Sequence, residues 1–407
     1  MSSPDAIAAA LGAMLQRVHF AGPDDLPALA QTAGAELGAD DTVIYLVDYD
    51  QVALIALRSD DTRAPVIPVE GTVAGRAFSD ITLMSVSGPD GLSVWGPLLD
   101  GTDRFGVLEF RFPAGTRVDE GFLEGCRLVA ALLAELVITR SNYGDRIEQT
   151  RRRKPMSLPA ELQWNLLPPL TFVTPRVAIA GVLAPTHDVA GDSFDYAVNG
   201  AIANLAIVDA MGHGLDATLM SAIAIGQLRN SRRRNCSLID TAIAMDQAIA
   251  ERFGPDKFVT GIIGQLDTNT GAWTWVNCGH PPSLLIRGGH VVKKLDAPVN
   301  PPLGLLSGTP DISTERLEPG DRLLLYTDGV TETRDAAGNF FGVDRLVNIV
   351  TKQSAAGRPA AETLRRLNLA ILQHQAGPLQ DDATTVLVEW LSNELPRSQV
   401  DVARQTR

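Results

Sequence analysis

"NLAIVDAMGHGLDATLMSA" (Asn204–Ala222) decides how this chain is read. An apolar run, Leu205 to Val208, ends on a single carboxylate, Asp209. Glycines 212 and 214 flank His213, and a helical pattern follows. That order predicts a buried strand, a tight turn and a helix. One Asp at such a corner is an ordinary turn or cap residue. The reading changes if other strand ends carry the same feature.

They do. Upstream, "DSFDYAVNGAIANLAIVDA" (Asp192–Ala210) reads as two strands around Asn199-Gly200. A two-residue type I′ turn there would pair Asp192 with Ile207 and set Asp209 on the diagonal. Both carboxylates would then share a face, roughly 7–8 Å apart. "DRLLLYTDGVTE" (Asp321–Glu332) reads as a strand ending on Asp328, followed by Gly329. "QDDATTVLVEW" (Gln380–Trp390) reads as a strand beginning after Asp381 and Asp382. Clustered carboxylates need positive charge to stay ionised in a partly buried site. All-oxygen ligation suits Mg²⁺ or Mn²⁺, whereas zinc would want His or Cys.

The rest of the chain bounds the classes. With 407 residues, 45% hydrophobic and 20% charged, it is long enough for two or three globular domains. A net charge of −13 argues against a nucleic-acid surface. The basic clusters Arg151–Lys154 and Arg232–Arg234 read as solvated faces. Cys126, Cys236 and Cys278 are too scattered for a disulfide framework or zinc knuckle and read as small buried hydrophobes. No apolar run reaches membrane-span length, and the N-terminus lacks a basic region before its apolar part. The expectation is a cytoplasmic protein without membrane contact.

Residues 1–140 read as a small α/β domain. Strands "DTVIYLVD" (Asp41–Asp48) and "VALIALRS" (Val52–Ser59) precede a short helix at Gly71–Asp80. Two strands follow around Asp100-Gly101, and a long helix spans about Asp119 to Arg140. This order resembles a GAF domain, which implies a sensor with an unknown signal or small ligand, or a structural domain without one. Haem or bilin attachment is not expected, because the region holds only His19 and Cys126. Phe122, Val129, Leu132, Leu133 and Leu136 form an apolar stripe on the long helix. It packs either on its own domain or in a homodimer. Residues 141–169 read as a helical linker stopped by Pro168-Pro169. Residues 170–392 are rich in hairpins with interspersed helices, an α+β pattern of antiparallel sheets covered by helices. Residues 393–407 read as a disordered tail.

"DVAGDSFDY", "VDAMGHG", "FVTGIIGQLD", "VNCGHPPSLLIRGG", "PLGLL", "LEPGDRLLLYTDGVTE", "FFGVDRL" and "DDATTVLV" occur in the order found in bacterial SpoIIE/RsbU-type PP2C (PPM) protein phosphatases. The resemblance covers about 225 residues and includes the lead-in "LQWNLLPP". It implies an α-β-β-α sandwich and a two-metal serine/threonine phosphatase using Mn²⁺ or Mg²⁺. By the resemblance, Asp209 bridges the two ions and the Ala210 carbonyl binds the second. Asp328 and Asp381 bind the first, and Asp192 acts through water. Gly212 gives the turn room, His213 either touches phosphate or caps the turn, and Gly329 joins the substrate contacts. It also implies a phosphorylated STAS-domain anti-sigma-factor antagonist as substrate. Ala190 stands where this family usually has glycine, and Ser193 where it has an aromatic. Eukaryotic relatives commonly have glycine where Ala210 stands, and alanine suffices there unless φ is positive. Two other classes remain: a non-catalytic phosphoprotein scaffold, and a nucleotide cyclase, to which "AGDSFD" is faintly similar.

Overall fold

The computed structural model describes residues 4–58, 65–89, 91–184, 187, 191–296, 298–375 and 382–391. The chain divides into two units between Pro155 and Met156.

Unit 1 holds α1 (Pro4–Arg17), α2 (Leu26–Glu36), β1 (Asp41–Val47), β2 (Ala53–Ala56), β3 (Val66–Pro68) and α3 (Val73–Asp80). It continues with β4 (Met84–Gly88), β5 (Gly91–Asp100), β6 (Asp103–Phe112), α4 (Glu120–Arg140) and α5 (Arg146–Arg151). The strands form one antiparallel sheet in the order β3-β2-β1-β6-β5-β4. Alternation along β1 sends Ile44 and Leu46 to one face and Tyr45 and Val47 to the other. The first face packs on α1, α2 and α4, the second on α3. Asp119 caps α4 by accepting from Phe122 N. The α4 stripe is spent here: Phe122, Val129, Leu133 and Leu136 are buried in the unit's own core, with Leu132 against it. The stripe therefore packs on its own domain.

The expected linker is divided between the units. α5 belongs to unit 1, where Ile147 is fully buried and the Arg151 guanidinium lies over Tyr49 and Phe105. That basic cluster is thus partly structural rather than a purely solvated face. Residues from 156 onward belong to unit 2.

Unit 2 runs through α6 (Leu158–Leu166), β7 (Thr171–Val173), β8 (Val177–Ala184), β9 (Asp192–Asn199), β10 (Ile202–Ala210), α7 (Leu215–Arg233) and α8 (Leu238–Phe253). Next come β11 (Val259–Asp267), β12 (Ala272–Cys278), β13 (Leu284–Arg287), β14 (His290–Lys294), β15 (Ser313–Arg316) and β16 (Arg322–Tyr326). α9 (Asp328–Glu332), α10 (Gly342–Ala355), α11 (Ala360–His374) and β17 (Ala383–Trp390) complete it. Two antiparallel sheets form, in the orders β15-β12-β11-β10-β9 and β14-β13-β16-β17-β8-β7. Between them lie Ile179, Phe194, Leu205, Ile207, Ile262, Leu323, Leu325, Val386 and Val388. α7 and α8 cover the outside of the first sheet, α10 and α11 the outside of the second. This is the α-β-β-α sandwich. Burying a ring such as Phe194 is worth about 3–5 kcal/mol against alanine.

The β9–β10 turn differs from expectation. Asn199 pairs with Ile202, so Gly200 and Ala201 form the turn, with Gly200 at φ 61°. A glycine at the first central position adopts that φ without a Cβ penalty. Asp192 consequently stands directly opposite Asp209, not opposite Ile207.

Candidate metal centre

The faces of the strands build the centre. On β10, Leu205 and Ile207 point between the sheets, so Asp209 does too. On β9 and β11 the same parity carries Asp192 and Thr260, which pair with Asp209 from either side. On the facing sheet, Leu323 and Leu325 lead to Thr327, and Val386 and Val388 lead back to Thr384. The apolar filling between the sheets thus ends in a polar edge.

That edge is tightly joined. Thr327 Oγ1 donates to Asp192 Oδ2 at 2.7 Å, and Thr384 N donates to Thr327 Oγ1 at 2.9 Å. Asp382 Oδ2 accepts from Gly191 N at 2.6 Å, Asp192 N at 3.1 Å and Gln163 Nε2 at 3.0 Å. Gln163 Nε2 also donates to the Asp192 carbonyl at 2.7 Å. Gln163 comes from α6, which Ser157 caps by accepting from Ala160 N. A Cβ on Gly329 would sit 1.8 Å from the Asp382 carbonyl oxygen, so glycine alone allows this approach. Gly329 is buried against that carbonyl.

Asp192 is 2% exposed. Burial, first, and then the charges of Asp209 and Asp382 push its carboxyl well above the usual range, with Thr327 opposing. Asp209 is half-buried and Asp328 exposed. Asp328 opens α9 two residues beyond β16 instead of ending the strand. Ala210 is buried and outside the positive-φ residues, so alanine carries no strain there. Gly212 and Gly214 have φ of 94° and 74°, and His213 between them is exposed. Asp381 lies outside the described residues. Among the described residues no three His, Cys, Asp or Glu side chains close into a ready ligand set.

The donor chemistry nevertheless fits hard dications. Asp192, Asp209 and Asp382 share one corner, no arginine or lysine is paired with Asp192 among the described residues, and the Ala210 carbonyl lies beside them. Such a corner would suit Mg²⁺ or Mn²⁺. Sequence reasoning missed Gln163, Thr327, Asp382 and Thr260. All act through tertiary contacts, and only the Asp381-Asp382 doublet gave any hint.

Unit 2 is similar to protein phosphatases of the PP2C class. Within that class the similarity is to the SpoIIE type: residues 200–391 match the family described as Stage II sporulation protein E (SpoIIE). Protein IcfG of Synechocystis is 24% identical over 58% of this chain and 39% of its own length. Phosphoserine phosphatase RsbP of Bacillus subtilis is 25% identical over 58% of each chain. The chain therefore spans about half the length of these curated relatives. The RsbU and RsbW domains of Rv1364c from Mycobacterium tuberculosis align at 24% identity and a TM-score of 0.48, over 55% of this chain and 64% of theirs. No helix among the described residues is long and apolar enough to cross a membrane.

Proposed function

We propose that the chain hydrolyses phosphoserine or phosphothreonine on a regulatory protein, using two Mn²⁺ or Mg²⁺ ions at the Asp192–Asp209 corner. Bound there, the ions supply a nucleophilic water at neutral pH and neutralise phosphoryl charge. Asp209 would hold the ions, with the Ala210 carbonyl, Asp328 and Asp381 as the further ligands that the resemblance implies. Asp192, tied down by Thr327, accepts hydrogen bonds from ordered water. The exposed Gly212–Gly214 turn leaves room for a protein-borne phosphate, with His213 in reach of it. A cysteine nucleophile is not needed, and burial pushes the Cys126 and Cys278 thiols up to about 12.

The observation that carries this reading is Asp192 facing Asp209 across a hairpin whose second strand lies in the SpoIIE-matched residues 200–391. The partner proposed is a phosphorylated STAS-domain anti-sigma-factor antagonist, as the resemblance implies. Unit 1 is proposed as a GAF-like sensor. Supporting this, a cleft of about 550 Å³ opens beside α3, lined by Ile67, Val86, Trp95, Arg111 and Phe112. Phosphate release from phospho-STAS proteins by the full chain, with Mn²⁺ and then with EDTA, is the test. Turnover that stops with EDTA and returns with Mn²⁺ supports the enzyme. Stoichiometric binding of phosphoprotein without release would make it a scaffold.

A further inference from the structure

Thr260, the neighbour of Asp209 on β11, has its own partner. Its Oγ1 lies 2.9 Å from His280 Nδ1. His280 is 3% exposed and is held by its own loop. Asn277 Oδ1 accepts from His280 N and Asn277 Nδ2 donates to His280 O, both at 2.9 Å. Asn300 in turn donates twice to the Asn277 carbonyl. The ring is therefore aimed at Thr260 by construction. Burial pushes its pKa down to about 3, so it is neutral at any working pH. Its Nε2 is buried without a hydrogen bond of normal geometry, and the Tyr326 carbonyl is the neighbour that favours a proton on the ring. A proton on Nε2 leaves Nδ1 as an acceptor, and the donor available to it is the Thr260 hydroxyl.

The consequence falls on Asp209. Directly opposed side chains on adjacent strands have Cβ atoms about 4.5–5.5 Å apart, so an unrestrained Thr260 hydroxyl could turn and donate to the Asp209 carboxylate. That bond would compete with a cation for the same lone pairs. We propose that His280 is a positioning residue that draws the Thr260 proton away from Asp209, keeping the Asp209 oxygens available to cations. The proposal rests on the metal-centre reading.

It separates from a merely structural role by a suppressor test. Mn²⁺ binding to the full chain is measured by calorimetry, alongside phosphatase rate and thermal unfolding. His280→Phe keeps a ring but frees the hydroxyl, and should weaken Mn²⁺ binding about tenfold. Adding Thr260→Val removes the competing proton and should restore near wild-type affinity, although the double variant has lost both polar partners. If the double variant binds Mn²⁺ as poorly as His280→Phe, the proposal fails. Nitrogen-15 spectra of the histidine rings, with the His280→Phe chain for assignment, should show a neutral Nε2–H tautomer. An Nδ1–H or charged ring at pH 7 would overturn it. Absence of Mn²⁺-dependent turnover in a wild-type chain that still binds Mn²⁺ would sink the phosphatase reading alone. A wild-type chain that binds no Mn²⁺ would sink both.

Discussion

Asp192 and Asp195 sit three residues apart on β9, and each is 2% exposed. They point to opposite faces of the sheet and are treated in opposite ways. Asp195 faces α7 and accepts from Arg229 at 2.7 Å and Arg232 at 2.6 Å. Asp192 faces the gap between the sheets, where it meets the Thr327 hydroxyl and two further carboxylates. Other buried carboxylates follow Asp195: Asp321 pairs with Arg287, and Glu362 with Arg365 and Arg366. Where the fold needs a buried carboxylate for itself, it supplies a guanidinium. Asp192, buried without a guanidinium among the described residues, is an exception, and it lies at the corner proposed to hold cations.

The sharpest way to break this comparison is Asp209→Asn. It should lower Mn²⁺-dependent kcat/KM by roughly 10³-fold or more with an unchanged circular dichroism spectrum. Near wild-type turnover would end the metal-bridging assignment. Next comes Asp195→Asn, which leaves two partly buried arginines short of their partner. It should cost about 2–3 kcal/mol in urea unfolding, while the kcat of the remaining folded protein holds. A loss of kcat without loss of stability would erase the distinction between the two aspartates.

Gln163→Leu is smaller and tests whether α6 supports the centre. Removing its two donated bonds should weaken Mn²⁺ binding and turnover about tenfold. Unchanged Mn²⁺ affinity would reduce Gln163 to packing. Smallest is Asp192→Asn in EDTA, which should stabilise the metal-free fold by about 1 kcal/mol at pH 7 because it removes repulsion. The sign shows in pH dependence. The Asp192 carboxyl is raised in the folded state, so the native protein binds more protons. Its contribution is complete below the unfolded value of 3.8 and is lost as pH rises through the folded value. Urea midpoints of the metal-free wild type should therefore fall from about pH 4 upward relative to Asp192→Asn. Parallel curves would contradict the shift.

How much of this was legible in the sequence follows from distance along the chain. The hairpin carrying Asp192 and Asp209 is local, and its alternation already put both on one face. The turn slid to Gly200-Ala201, which changes the pairing sum by two. Side chains repeat every two residues, so the face survived while a diagonal became a direct opposition. The roles of Thr327 and Asp382 were not legible, because nothing in their local pattern names partners on another strand. Arg232 belonged to a charge run that reads as solvated, yet it closes on Asp195. Gln163 sat in a segment expected to be a linker, and only packing of α6 in unit 2 gives it a role.

The position of β17 has a consequence for the life of the chain. It lies inside its sheet, between β16 and β8, and brings Asp382 to partners 190 and 191 residues earlier. Loop closure over such spans comes late in folding. A nascent chain can complete its hairpin while most of the second unit is still being made, but it cannot close the acidic corner until residue 390 has cleared the ribosome. Synthesis itself thus acts as a timer, and no half-made copy carries an assembled corner.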